Sequence, residues 1–290
     1  MNQKMPVESL AERYEQYRME LKGLTMMSDA FMRTVLKEKA CTEHILQIIM
    51  GQPDLKIIDQ VIQQDYKNLQ GRSAILDCVA IDNYGNLINV EVHQEKEEAC
   101  PKRARYYSGL LDTNTLKRGQ SFKDLPDSYV IFITKTDVLG YGLPVYHIRR
   151  SINENSADFQ DGSHIFYVDA SRQNDTPLGH LMHDLNCKTA SEIHSPVRAD
   201  RVRELKETEG GIKIMCEVMD RIYNWGEQIG EKRGEAWGIQ LGEARGIQIG
   251  QERIQRETSR SLFKMGMSAD QIALAVNASK QTVLEWLKEA

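Results

Sequence analysis

The chain has 290 residues, 41% hydrophobic and 27% charged, with a formal net charge of -5. This is enough apolar material for one good-sized core plus an appendage, and no uncharged apolar run is long enough for a transmembrane helix. The acidic balance excludes a generic polycation for nucleic acid. It leaves room for a local basic face, because screening beyond about a Debye length isolates patches.

Residues 7–23 read as a charged, peripheral helix without the apolar region of a signal peptide. Ser28-Asp29 has the chemistry of a helix cap, and Phe31, Val35, Ile45, Leu46 and Ile49 recur at helical spacing. One or two helices are therefore expected over residues 30–50, ended by Gly51 and Pro53. A first strand follows over residues 55–64, leading through Tyr66, Asn68 and Leu69 into a hairpin.

The hairpin, GRSAILDCVAIDNYGNLINVEVHQ, spans Gly71 to Gln94. Strands are expected over 73–81 and 87–93, joined by the turn residues Asp82-Asn83-Tyr84-Gly85-Asn86. Asp77, Glu91 and His93 are polar residues that a buried strand would ordinarily avoid. Alternation puts Glu91 and His93 on one face. If Ile81 faces Leu87, paired numbers sum to 168 and Asp77 lies opposite Glu91. Directly opposed Cβ atoms are about 4.5–5.5 Å apart, close enough for two carboxylates to share a cation. A register one residue off sends Asp77 to the other face. Two carboxylates so placed call for a hard divalent cation such as Mg²⁺ or Mn²⁺, or else they are solvent-facing acids on a half-exposed hairpin.

Cys100-Pro101 then opens a helix over 102–116, with Ala104, Tyr107, Leu110 and Leu111 at helical spacing. Its first turns carry Lys102, Arg103 and Arg105, either a solvated face or a phosphate-binding run interleaved with tyrosines. The continuous apolar run 128–134 reads as a strand buried on both sides, with further strands over 145–148 and 164–168. His147 and His164 fall in these strands as structural histidines, and no Cys/His pair has metal-ligand spacing. Helices over 178–185 and 199–206 close the core, Gly210-Gly211 reads as a hinge, and a helix restarts over 212–223. The five cysteines are scattered, with no CxxC, as in a reduced cytosolic protein lacking structural disulfide or zinc.

Glycine recurs every fourth residue from Gly226 to Gly250. Each glycine costs a helix roughly 1 kcal/mol relative to alanine, so the ladder is either a close-approach stripe for another helix or a low-complexity linker. A four-residue period drifts about 40° per step and favours a right-handed wrap. Residues 257–290 read as helix, stop at Gly266, a Ser268/Gln271 capping box, a short helix, a turn at Asn277-Ala278 and a last helix from Ser279. Its expected apolar positions are Val283, Leu284 and Leu287. This is a helix-turn-helix layout in which Lys280, Gln281 and Thr282 would meet base edges; the other reading is a small packing or oligomerising tail.

The order strand-Asp, hairpin, Glu-x-(Lys or Gln) resembles the PD-(D/E)XK nuclease core. More narrowly, it resembles the PD-(D/E)XK family transposases, or recombination-promoting nucleases, of bacteria. GRSAILDCVAIDNYGNLINVEVH, PKRARYYSGLLD, LPDSYVIFITKTDVLGYGLPVYHIRR, DGSHIFYVDA and DTPLGHLMHDL carry the likeness, over about residues 28–208. It implies an α/β, restriction-endonuclease-like mixed central sheet flanked by helices, here with an all-α C-terminal extension. It also implies a cytoplasmic, Mg²⁺- or Mn²⁺-dependent DNA endonuclease with Asp77 and Glu91 as metal ligands and His93 at the third catalytic position. Where the pattern has Lys, and many members Gln, this chain has His93. The alternative is therefore an inactive nuclease fold acting as a DNA-binding or oligomeric scaffold. In this family an acid from the preceding helix can approach the metal; Asp29 is that acid, or else a plain cap. The expected division is a helix over 1–27, a nuclease-like core over 28–209, a glycine-repeat linker or homo-oligomerisation segment over 210–256, and a helix-turn-helix-like tail over 257–290.

Overall fold

A computed structural model describes residues 10–66 and 73–288. The first residues of the expected N-terminal helix (7–9), the connection at 68–69 and the start of the hairpin at 71–72 lie outside the described residues. The chain divides into two compact units, Met1–Arg221 and Ile222–Ala290.

The first unit is built on a mixed six-stranded sheet of order β1-β2-β3-β4-β6-β5. Its strands are β1 (Ile57–Tyr66), β2 (Ala74–Asp82), β3 (Leu87–His93), β4 (Ser128–Thr134), β5 (Val145–Ile148) and β6 (Ser163–Asp169). The first three form an antiparallel meander, β3, β4 and β6 run parallel, and β5 returns antiparallel to β6. Polar β1 is the edge strand, with alternating exposure, whereas β4 is buried at every residue. That contrast explains why β4 is a continuous apolar run: both of its faces are covered, as parallel strands require.

Helices cover the two faces unequally. On one side lie α2 (Asp29–Val35), α3 (Lys39–Met50), α5 (Pro177–Asn186) and α6 (Pro196–Glu207). Their Phe31, Ile45, Leu46, Leu181 and Val202 pack with Ile88, Val90, Val92, Ile131 and Ile133. On the other side α4 (Pro101–Thr115) packs Ala104, Tyr107, Leu110 and Leu111 against Val79, Val130, Phe132 and Tyr167. Helix α1 (Leu10–Gly23) is less peripheral than its charge suggests, since Tyr17 and Leu21 are buried. Pairing Leu87 with Ser128 and Glu91 with Phe132 places Asn89, Glu91 and His93 on the α4 face.

Helix α6 is fixed by a buried ion pair. Arg198 donates to Asp184 Oδ2 through Nε at 3.2 Å and Nη2 at 2.6 Å, and both side chains are buried. The same carboxylate accepts the backbone N–H groups of His194 (2.8 Å) and Ser195 (3.1 Å), at the start of α6. Despite burial, these donors and the guanidinium hold the Asp184 carboxyl below its usual range.

Gly210 and Gly211 do not form a hinge. They lie in the first turn of α7 (Glu209–Lys264), where Thr208 Oγ1 accepts the Gly211 N–H at 3.0 Å. A Cβ at Gly211 would sit 1.9 Å from the Glu204 carbonyl oxygen, so glycine permits the close approach of these two helices. The helix then continues unbroken through the glycine repeat to Lys264.

In the second unit, Gly266 turns with φ +88°, the Ser268/Gln271 capping box forms, and α8 (Ala269–Ala275) leads through left-handed Asn277 to α9 (Lys280–Lys288). Ile272, Val276, Val283 and Trp286 make the small core. Trp286 takes the place expected of Leu284, which is exposed. No helix among the described residues is long and apolar enough to cross a membrane.

Removing one partner of a buried pair leaves an uncompensated charge. Arg198→Met is expected to lower unfolding free energy by about 3–5 kcal/mol in urea denaturation, and Asp184→Ala by a similar amount.

Candidate active site

The hairpin has the register in which paired numbers sum to 168: Ile81 faces Leu87, and Cys78 faces Val90. There the β2–β3 ladder stops, although β2 keeps pairing with β1 down to Ala74. The next N–H of β2, that of Asp77, donates instead to Glu91 Oε1 at 3.1 Å. Asn89 Nδ2 donates to the same oxygen at 3.0 Å. The two strands therefore part at the position of the two acids, where the Glu91 side chain holds the Asp77 N–H.

Glu91 is 1% exposed, His93 8% and Asp77 15%. Helix α2 adds two further charges. Ser28 is the N-cap residue, so Asp29 stands in the first turn, where its carboxylate binds Arg33. Arg33 Nη1 also lies 3.7 Å from Asp77 Oδ1, so one guanidinium bridges the two aspartates. Burial pushes the Asp77 carboxyl up to about 7, helped by the negative charges of Glu91 and Asp29 and opposed by Arg33 and His93. Burial also raises Asp29, against the pull of Arg33.

His93 is held from both sides. Its Nδ1 lies 3.3 Å from Glu98 Oε2, and its ring packs on Phe132 at 5.4 Å between centroids. Its buried Nε2 lies 3.4 Å from Glu91 Oε2 but makes no hydrogen bond. With Nδ1–H donated to Glu98, Nε2 carries the basic lone pair.

Residues 38–176 match the model of the PD-(D/E)XK nuclease family transposases. The match covers a little under half of the chain. The match contains Asp77, Glu91, His93 and the basic turns of α4, and it begins after Asp29 and Arg33. No curated protein and no solved structure matches the chain. The match supports a nuclease- or transposase-like function with DNA as substrate, and PD-(D/E)XK nucleases typically use divalent metals.

The residues present suit such a metal. Asp77 and Glu91 offer hard carboxylate oxygens, as Mg²⁺ and Mn²⁺ prefer. Crowding of acids around buried Asp77 is the electrostatic condition that a cation relieves. The match to a metal centre is incomplete in one respect. Among the described residues, the trio Asp29, Asp77 and Glu91 does not close to within 4.8 Å, and Arg33 occupies the ground between two of them.

The other expected contacts divide. Lys102 and Arg105 are exposed on α4, whereas half-buried Arg103 donates to Tyr107 Oη (2.7 Å) and to the Glu98 carbonyl (2.9 Å). Lys280 pairs with Asp270 at 2.9 Å, and the Thr282 N–H binds Ser279 Oγ at 3.0 Å, so Thr282 belongs to the cap of α9. Gln281 is exposed. Sequence reasoning missed Arg33 and Glu98. The i,i+4 spacing of Asp29 and Arg33 was a usable signal; Glu98, in the 3₁₀ turn Lys96–Ala99, left none.

Because its folded value is raised, Asp77 favours folding below its ordinary value of 3.8, and this contribution is lost as pH rises through about 7. Asp77→Asn is expected to raise the unfolding free energy of the metal-free protein near neutral and alkaline pH by on the order of a few kcal/mol, and with it the melting temperature. Calorimetry should find the gap between variant and wild type closing as pH falls toward the ordinary carboxylate range.

Proposed function

We propose that this site is a metal-dependent DNA endonuclease of the mobile-element, recombination-promoting kind. The observation that carries the reading is the parting of β2 from β3 where Asp77 meets Glu91, inside a segment of matching family. Asp77 and Glu91 would hold Mg²⁺ or Mn²⁺, which when bound would polarise the scissile phosphate and ease ionisation of water. His93 Nε2 takes the proton of the attacking water, and Glu98 acts through it as a positioning residue. Arg33 supplies the fixed positive charge that an imidazole lacks, and it exchanges an aspartate for a substrate phosphate oxygen.

Lys102, Arg103 and Arg105 position the DNA backbone. Exposed Lys102 and Arg105 meet phosphates, while Arg103 braces Glu98 through its carbonyl. In the tail, Gln281 reaches base edges, Lys280 does so after leaving Asp270, and Thr282 orders the helix start. The glycine repeat joins two or more copies of the chain. Trp225, Trp237, Leu241 and Ile249 are exposed along it, and among the described residues nothing lies within 4 Å of a Cβ built at any glycine from Gly226 to Gly250. We take 1–27 as an accessory helix, 28–209 as the nuclease core, 210–256 as the joining segment and 257–290 as the DNA-reading tail. The five unpaired cysteines favour a reduced, cytoplasmic setting.

A second reading, a binding protein with a silent site, is favoured by the burial of His93 Nε2 and by the two donors already on Glu91 Oε1. Plasmid nicking in Mg²⁺ or Mn²⁺ separates the two. Asp77→Ala and Glu91→Ala are each expected to lower cleavage at least about a hundredfold, a loss of roughly 3 kcal/mol in transition-state stabilisation. DNA binding without cleavage in the wild type would establish the silent-site reading.

Phosphate contacts also set the salt dependence of binding, with a slope of about -0.9 per contact on duplex DNA. A Lys102→Ala/Arg105→Ala variant is expected to reduce the magnitude of that slope by roughly 2, measured by anisotropy across a salt series.

A further inference from the structure

A second cluster of ligating side chains lies on α5, away from the β2–β3 opening and apart from the chemistry described above. His180 and His183 stand three residues apart on α5, and His194 arrives from the segment between the 3₁₀ turn Ala190–Glu192 and α6. The His183 and His194 rings meet edge to face at 4.6 Å, and His180 stacks on His194 at 4.6 Å. Between them lies Asp184 Oδ1, 3.0 Å from His194 Nδ1 and 3.6 Å from His183 Nδ1. One donor atom each from His183, Asp184 and His194 falls within 4.8 Å of the others.

We propose that His183, Asp184 and His194 form a binding site for a borderline divalent cation, Zn²⁺ foremost, distinct from the carboxylate site of Asp77 and Glu91. Tetrahedral Zn²⁺ with ligands at about 2.0–2.2 Å spaces its donor atoms roughly 3.3–3.5 Å apart. The observed separations of 3.0 and 3.6 Å bracket that spacing. Two imidazoles and one carboxylate are a donor set for Zn²⁺ rather than Mg²⁺, which selects oxygen. His183 and His194 are partly exposed, so the ion has a path in and solvent can complete its coordination.

The anchoring is already built. Asp184 Oδ2 is held by Arg198 and by the Ser195 N–H, leaving Oδ1 directed at the two rings. Such outer hydrogen bonds fix ligating carboxylates in metal sites. On binding, the ion replaces the His194 Nδ1 proton that faces Oδ1, and His194 ligates in the tautomer protonated at Nε2. The His194 backbone N–H stays on Oδ1 throughout. Arg198, a fixed positive charge beside the carboxylate, lowers the affinity below that of an unpaired donor set. His180 is turned to Asp175 through Nε2 at 2.9 Å and supports the His194 ring by stacking. Cys187 Sγ lies 3.4 Å from His183 Nδ1 but does not join the group. The bound ion would tie the end of α5 to the entry of α6.

The test is Zn²⁺ titration of the untagged full chain by competition with a chromophoric chelator, beside thermal melts with and without Zn²⁺. Wild type and Glu91→Ala are expected to bind one equivalent at this site and to melt higher with Zn²⁺. His183→Ala and His194→Ala should each weaken that binding at least tenfold and lose the melting shift, and His183→Gln should behave as His183→Ala. Metal-free melts establish that these variants are folded. Undiminished binding by the histidine variants, loss of binding in Glu91→Ala alone, or no binding by the wild type would each overturn the assignment.

Discussion

The first unit depends on one departure from regular pairing: β2 stays with β1 but leaves β3 after Cys78. Glu91 is a buried acid, and its Oε1 accepts both the Asp77 N–H and Asn89 Nδ2. By giving that N–H to the Glu91 carboxylate, the fold satisfies a buried acid and opens the sheet at the same point. The helix layers hold the opening in place. Helix α4 presses Tyr107 against Phe132, which supports His93, while α2 brings Asp29 and Arg33 to the Asp77 side.

Charge at this opening is arranged so that no group is relaxed. Asp77 is buried beside two further acids, with Arg33 as the guanidinium between it and Asp29, so it holds its proton to about 7. Arg33 answers part of that repulsion in the protein alone. An arginine bridging two aspartates is an internal counter-ion that a phosphate or a cation can relieve. Where a lysine would carry fixed charge, His93 carries a ring whose Nδ1 lies beside Glu98, while the nearest fixed positive charge to Asp77 is Arg33 of α2. The same fold treats Asp184 in the opposite way. There Arg198 and two backbone donors surround the buried carboxylate and hold it below its usual range despite burial. One carboxylate is under electrostatic load, and the other is held by donors on both of its oxygens.

Much of this architecture was legible in the sequence. The run Ser128–Thr134 could only be a strand covered on both faces, and the hairpin register followed from a turn rich in Asp, Asn and Gly between two apolar runs. Ser268 and Gln271 announced their capping box because that motif is local. Legibility failed where distant segments meet. Gly210-Gly211 looked like a hinge because glycine breaks helices, yet Gly211 serves close approach to the Glu204 carbonyl oxygen. Leu284 and Trp286 both suited an apolar face, and only the packing of α8 on α9 buries Trp286.

The sequence by itself determined the order of the elements, the 168 register from Ile81/Leu87 to Cys78/Val90, and the family match of residues 38–176. Period, turn chemistry and alternation are short-range properties, so they are written locally in the chain. Tertiary structure alone decided that Arg33 bridges Asp29 and Asp77, that Glu98 holds His93, and that His194 meets His183 over a carboxylate clamped by Arg198. Each of these turns on where a side chain meets a neighbour from another element or turn. Such meetings are fixed by the packing of layers, and periodicity carries no record of them.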